Sequence, residues 1–355
     1  MHDGFPNDLL QLINYFKLEG FNTRLVGGCV RDYILGKSPK DFDIATDATP
    51  DQQIEIYKKF NIKFVLTGMK HGTITAILNN HYEVTSLRSD RETDGRHAEV
   101  EFIKCWKQDS FRRDLTINSI YMDDNYKITD FHNGKRDLLN GVIRFVGNAD
   151  QRIKEDYLRI LRYYRFFGRF GKVAVDRNIV IQNIEGLKNI AVERIWSELK
   201  QIMVLPNSSK ILTMMKDDGI FSAVGFDIYI TKFINGINPA ANLALLCPDF
   251  KSAATILKLS NYERDMGLFV KHNQSLSSKR AILYAIDGTN LDFIIEASKV
   301  SKIPYIDFNN LPVFPIKSHM LPNFQGKALG KELSRLKWIW YDLNFTENVD
   351  LIMSS

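Results

Sequence analysis

The chain has 355 residues, 45% hydrophobic and 25% charged, with a net charge of +5 and a pI near 8.8. That balance belongs to an ordinary soluble globular protein with room for two or three domains, and its basic lean suits an RNA partner without requiring one. No apolar run approaches the length that spans a bilayer. Cys29, Cys105 and Cys247 are too far apart for a disulfide framework or a zinc pattern, and the N-terminus lacks a secretory signal, so a cytosolic protein with no membrane contact is expected.

The first 140 or so residues mix helix and strand signals. An apolar helical period (Leu9, Leu10, Leu12, Ile13, Phe16) predicts an opening helix that ends near Gly20, and "TRLVGG" then reads as a strand. A helix is expected from about Cys29 to Leu35 and a second strand at "DFDIAT". Thr49-Pro50-Asp51 marks a helix start, with Thr49 as N-cap. "TITAILNN", "HYEVTSLR" and "AEVEFIK" read as further strands, the last set apart by a charged, turn-rich segment, "RSDRETDGRH". Beyond residue 150 the pattern turns helical. "DYLRILRYYRFFGRF" repeats arginine at helical spacing, "VERIWSELKQIM" continues the pattern, and "GKALGKELSRLKWIWYDL" is amphipathic. The fold class is α+β: a mixed-sheet head followed by helices.

The chemistry concentrates in "RLVGGCVRDYILGKSPKDFDIATDATP". On a strand, Asp41 and Asp43 project from one face, where two carboxylates repel unless a cation sits between them; Mg²⁺, with its preference for oxygen, is the natural candidate. Gly27 and Gly28, between a strand and a helix, let backbone N–H groups approach a ligand closely, and Arg31 adds a charged donor for phosphate. Together these features imply a nucleoside triphosphate attacked by a hydroxyl. Asp156 and Arg159, at i and i+3 of a helix, lie side by side, as an ordinary helical salt bridge or as a paired acceptor and donor. Cytosine and adenine both set an amino donor beside a ring-nitrogen acceptor and satisfy such a pair. Guanine and uracil reverse the order and leave buried groups unpaired, at about 1–3 kcal/mol each.

These segments, with "RRDLTINSI", "DFHNGKRDLLNGVIRFVG", "EDYLRILRYYRF" and "VERIWSELKQI" in that order, resemble the five motifs of the class II tRNA nucleotidyltransferases (CCA-adding enzymes) and the related bacterial poly(A) polymerases, over residues 24 to about 203. The resemblance implies a polymerase-β-like nucleotidyltransferase head over 1–140, a helical neck carrying the base template over 141–205, a helical body over 206–270 and a helical, tRNA-binding tail over 271–355. It implies that Asp41 and Asp43 hold Mg²⁺, that Glu83 is a third acid beside them, and that Asp156 and Arg159 select CTP and ATP. Arg113 would reach phosphate, Asp114 would accept from a ribose hydroxyl, and Asn118 belongs to the same motif. Arg162 and Arg165 would hold the triphosphate or brace the template. Asp94, Gly95 and Arg96 fall in the family's flexible loop. Lys317, Lys327, Lys331, Arg335 and Lys337 are candidates for phosphate contacts to tRNA, since duplex RNA is recognised mainly by shape and backbone. The expected activity is addition of C, C and A to the tRNA 3′ end, with no obligatory protein partner; the alternatives are poly(A) synthesis and A-only addition by an enzyme of the same family.

Overall fold

The computed structural model describes residues 5–39, 41–93, 98–304, 306–309 and 311–355. The chain divides into two units, Met1–Gly225 and Phe226–Ser355. The first opens with α1 (Asn7–Leu18), which buries Leu9, Leu12, Ile13 and Phe16 along one stripe. β1 (Thr23–Val26), α2 (Gly28–Ile34) and β2 (Asp43–Thr46) follow. α3 (Pro50–Lys59) starts on a capping box in which the Thr49 hydroxyl accepts from the Gln52 amide and the Gln52 side chain accepts from the Thr49 amide. β3 (Lys63–Gly68), β4 (Thr73–Ile77) and β5 (His81–Ser86) then form an antiparallel meander.

Residues 88–93, expected as part of a loop, are strand. β6 (Arg88–Thr93) pairs antiparallel with β7 (Ala98–Phe102) in a separate two-stranded ribbon. "RSDRET" contains no apolar residue, so no alternation marks it as a strand. α4 (Trp106–Phe111), β8 (Ile120–Met122), β9 (Ile128–Asp130) and α5 (Gly134–Asn140) complete the head. Seven strands lie in the order β3-β4-β5-β2-β1-β8-β9; β2 and β5 are parallel and the other neighbours antiparallel. Leu9, Phe16, Leu25, Val30, Tyr57, Ile74, Val84 and Ile120 share the main core of this sheet and its helices, and the smaller cluster of Val26, Ala45, Leu87 and Tyr121 packs against Trp106.

The rest of the first unit is β10 (Val142–Ile143), α6 (Ala149–Glu155), α7 (Leu158–Phe170), β11 (Val173–Ala174), α8 (Arg177–Gln182), α9 (Val192–Met203), α10 (Ser208–Asp217) and α11 (Ile220–Val224). α7 packs on α9 and carries the arginines of the repeat. The second unit holds α12 (Pro239–Leu246), α13 (Phe250–Ile256), α14 (Asn261–His272), α15 (Ser278–Ile286), α16 (Leu291–Val300), α17 (Gly326–Asp342) and α18 (Val349–Ser354). Two apolar clusters serve it, one around Leu245, Met266, Val270 and Ile294, the other around Ile316, Leu336, Trp340 and Ile352. No helix among the described residues is long and apolar enough to cross a membrane.

Candidate active site

β1 ends and α2 begins at Gly27, whose φ of +75° is open to glycine and strained for any other L-residue. The β1–β2 register sets Val26 opposite Asp43, so the glycine pair lies against that acid. A Cβ at Gly27 would lie 3.5 Å from Asp43 Oδ2, and one at Gly28 would lie 3.7 Å from Arg31 Nη2. Bare backbone, a carboxylate and a guanidinium thus meet at one spot. Across the parallel β2–β5 pair, Asp43 is the register partner of Glu83, and both stand on the open face while Ile44 and Val84 point into the core. The Asp43 carboxyl is held above the usual aspartate value. Loss of water at the site is the largest cause; the negative charges of Glu83 and Asp41 add to it, while Arg113 and Arg31 pull the other way.

Asp41 departs from the sequence expectation. β2 starts at Asp43, so Asp41 lies in the bend before the strand rather than on its face. It lines a separate concavity of about 510 Å³ with Pro39, Phe42 and His81. Its charge still reaches Asp43, but the two acids do not share a strand face. Among the described residues, no group of three or more His, Cys, Asp or Glu side chains is placed to hold a metal ion.

Asp43 opens onto a cavity of about 480 Å³ whose lining also includes Gly27, Gly28, Arg31, Arg113, Asp114, Asn118, Asp156, Arg159, Arg162 and Arg165. One space therefore gathers residues spread over more than a hundred positions of sequence. Most of its arginines are already ion-paired. Arg162 reaches Asp114 at 2.7 Å, Arg165 reaches Glu198 at 2.6 Å, and Arg113 donates to Asp109 at 3.1 Å and to the Tyr121 hydroxyl at 3.2 Å. Arg31 differs: it donates through Nη1 to the Asn118 side-chain oxygen, stacks over Phe166 and Phe170, and keeps its Nε buried without a hydrogen-bond partner. Burial, and then the nearby charge of Arg169, lower its guanidinium to about 10. An orphaned buried donor beside a glycine cradle suits a phosphate oxygen.

Asp114 is more fully engaged than expected. Oδ1 accepts from the Leu115 backbone N–H at 2.8 Å and from Asn118 Nδ2 at 2.9 Å, while Oδ2 accepts from Arg162 Nε at 2.7 Å and faces its Nη2 at 2.7 Å. A carboxylate has about four acceptor positions, so a ribose hydroxyl would have to displace one of these. Burial alone would raise this carboxyl; Arg162 and the hydrogen bonds overcome that and hold it well below the usual range.

The Asp156/Arg159 pair also differs from a helical i, i+3 pair. Asp156 is extended (φ −156°) at the junction where α6 ends, one residue before the N-cap of α7, and Arg159 lies in the first turn of α7. The Arg159 backbone N–H donates to the Asp156 carbonyl at 3.0 Å, but their side chains do not bond to each other. Asp156 Oδ2 accepts from Arg194 Nη2 at 2.8 Å, whereas Arg159 donates to Glu155 at 2.7 Å and to the carbonyls of Arg152 (2.8 Å) and Arg112 (2.9 Å). The helical salt bridge is absent, and both side chains line the cavity, each fixed from behind.

Residues 23–144 match the poly A polymerase head domain, and 178–224 match the probable RNA- and SrmB-binding site of polymerase A. CCA tRNA nucleotidyltransferase 1, mitochondrial, of Mus musculus is 34% identical over 395 residues, covering 99% of this chain and 90% of that protein. The chain belongs to the CCA tRNA nucleotidyltransferase family. Its fold is also that of the Bacillus stearothermophilus CCA-adding enzyme in complex with CTP (TM-score 0.76, 23% identity, 95% of this chain and 92% of that one). The same holds for the Thermotoga maritima CCA-adding enzyme complexed with tRNA (TM-score 0.71, 19% identity, 99% and 96%). The chain is therefore a nucleotidyltransferase with a polymerase-β-like head. The expected cytosolic placement is overturned by the mitochondrial relative, which matches nearly the whole chain.

Of the remaining candidates, Asp94, Gly95 and Arg96 lie outside the described residues. Lys317, Lys327, Lys331 and Arg335 are exposed on the second unit, but Arg335 pairs with Glu332 at 2.8 Å and Lys337 pairs with Asp287. Sequence reasoning did not single out Arg112 and Phe166 in the cavity wall, or Asp109, Glu155, Arg194 and Glu198 behind it. A buried acid in line with an arginine repeat, such as Glu198 on the inner face of α9, is the one signal that could have pointed to them.

Proposed function

We propose that the cavity is the nucleotide site of an enzyme that adds C, C and A to the 3′ end of tRNA from CTP and ATP, releasing pyrophosphate. The observation that carries this reading is the gathering of a glycine cradle, an arginine with a buried unpartnered donor, Asp43, and the Asp156 and Arg159 side chains around one space. In this reading the Gly27-Gly28 backbone and Arg31 receive the triphosphate, and Arg113 supports them. Asp114 and Asn118 brace Arg162 and Arg31 rather than touch sugar. Arg162 and Arg165, locked on acids, shape the wall. Asp156 accepts from the exocyclic amino group of cytosine or adenine, and Arg159 donates to the adjacent ring nitrogen.

The acids fit a magnesium ion by their chemistry. Asp43 is destabilised by lost hydration and by the charges of Glu83 and Asp41, and among the described residues no three acids are placed as a ready-made cage, which matches an ion held by one or two carboxylates and the nucleotide's own oxygens. Asp43, with Asp41 at the edge and Glu83 alongside, would hold it; when bound, it would lower the pKa of the attacking hydroxyl and neutralise the departing pyrophosphate. We assign catalysis to residues 1–140, base selection to 141–205, a helical body to 206–270 and tRNA binding to 271–355, with Lys317, Lys327 and Lys331 offering charge to phosphate. The mitochondrial name of the relative supports the same compartment for this chain.

Incubating the protein with tRNA transcripts that end at the discriminator base, or after one or two added C residues, tests the activity. Products that stop at CCA support it; an open-ended A ladder would replace it with poly(A) synthesis. Asp43→Ala should abolish incorporation while tRNA affinity is kept.

A further inference from the structure

Asp109, carried on α4, has no solvent exposure and no place in the reading above. Its carboxylate accepts four hydrogen bonds: from Arg112 Nε (2.7 Å), Arg113 Nη2 (3.1 Å), the Tyr121 hydroxyl (2.6 Å) and the backbone N–H of Arg88 (3.2 Å). These donors come from three places. Arg112 and Arg113 line the nucleotide cavity, Tyr121 stands on β8 of the main sheet, and Arg88 is the first residue of β6, where the two-stranded ribbon leaves the head. The chain of contacts continues one step further. The Arg112 carbonyl accepts from Arg159 Nη2 at 2.9 Å, so the base-reading arginine rests on the same segment that Asp109 holds. Tyr121 closes the network, donating to Asp109 while accepting from Arg113 Nε at 3.2 Å.

We infer that Asp109 is a positioning residue for nucleotide selection, joining the root of the β6–β7 ribbon to Arg112, Arg113 and, through the Arg112 carbonyl, Arg159. The inference rests on the proposed function. A buried carboxylate with four donors is rigid, because moving any one donor exposes an unsatisfied group to the others. Displacement of the ribbon root therefore passes to the cavity wall, and displacement of the wall passes to the ribbon. Asp109 touches no reacting atom.

The test compares wild type, Asp109→Asn and Tyr121→Phe on tRNA transcripts lacking CCA. It measures KM and kcat for CTP and ATP, the CTP-to-UTP preference, and backbone hydrogen exchange over residues 86–103. Asp109→Asn should raise KM for both nucleotides by about tenfold and cut the base preference several-fold, the scale of one lost charge-assisted hydrogen bond. The fall in kcat should be smaller, and exchange at the amides of 88–93 should quicken. Tyr121→Phe, which keeps the carboxylate, should move the same quantities in the same direction by less, with a smaller fall in melting temperature than Asp109→Asn. If either variant, folded and assayed well below its melting temperature, kept wild-type KM, base preference and ribbon exchange, Asp109 would be only a stabilising residue and the inference would fail. A wild type that extends no tRNA would sink the proposed function instead, so the two failures are separable.

Discussion

Replacing Asp43 by asparagine should make the protein more stable and inactive at once. Asp43 and Glu83 are register partners on neighbouring parallel strands, and such strands lie about 4.8 Å apart. Two carboxylates roughly 5 Å apart repel by about 1 kcal/mol at an effective dielectric between that of water and that of a protein surface, with solvent screening included. Removing the charge should raise the melting temperature of a unit of this size by roughly 2–4 °C. The sign follows from linkage. The folded Asp43 carboxyl sits above its unfolded value, so the wild type loses this stability as pH rises from the ordinary aspartate range through the raised one, and the penalty is complete at pH 7. The gap between variant and wild type should therefore open from about pH 4 upward and then level off. Calorimetry at low salt, with EDTA and then with magnesium, would measure it. Magnesium should raise the wild-type melting temperature and leave the variant's nearly unchanged. A variant that melted at or below wild type in EDTA, or that gained as much from magnesium, would refute the account of this acid as a strained cation ligand.

Arg162→Met leaves Asp114 buried with only its two amide donors; discounting for the one-third exposure of the arginine side chain (33%), the loss should be about 2–3 kcal/mol by urea denaturation at pH 7. Because Asp114 is held below its unfolded value, that deficit should shrink as pH falls below about 4, where both proteins lose the carboxylate's contribution. Arg159→Ala should lower the preference for CTP over UTP by about tenfold or more in single-nucleotide extension, with a smaller fall in turnover on CTP. Gly27→Ala should cost about 1–2 kcal/mol from its positive φ and raise KM for nucleotide, read from thermal melts and steady-state kinetics.

Much of the site was legible because its chemistry is local in sequence. Gly27, Gly28, Arg31 and Asp43 fall within one strand–helix–strand unit, and Asp114 and Asn118 within one turn. What stayed hidden depends on distant pairing. Nothing in the spacing of α7 shows that Arg165 meets Glu198 or that Asp156 meets Arg194, 38 residues away. Asp41 was misplaced because alternation fixes which side chains share a face but not where the strand begins, and β2 begins two residues later. β3 escaped notice for a related reason. It is an edge strand, with Val65 and Leu66 half exposed, so burial imposes no clean alternation on it.

The pre-paired state of the arginines bears directly on selection. A free arginine has several rotamers within reach and could swing toward the carbonyl of uracil or guanine, softening the cost of a mismatch. Arg159 cannot do this without giving up Glu155 and two backbone carbonyls, and Asp156 cannot turn without giving up Arg194. On the proposed function, a wrong base would meet donors and acceptors that stay where they are, and the unpaired groups would retain their full penalty of about 1–3 kcal/mol each. Arg31, whose partner is a neutral side chain and whose Nε is unclaimed, has the opposite property: it can take on a phosphate without surrendering an ion pair. On the proposed function, base discrimination would rest on Arg159, already bound to an acid, and the arginine freest to take up the triphosphate would be Arg31, which is not. It follows that weakening the supports behind Arg159 should erode specificity even when every residue touching the nucleotide is intact.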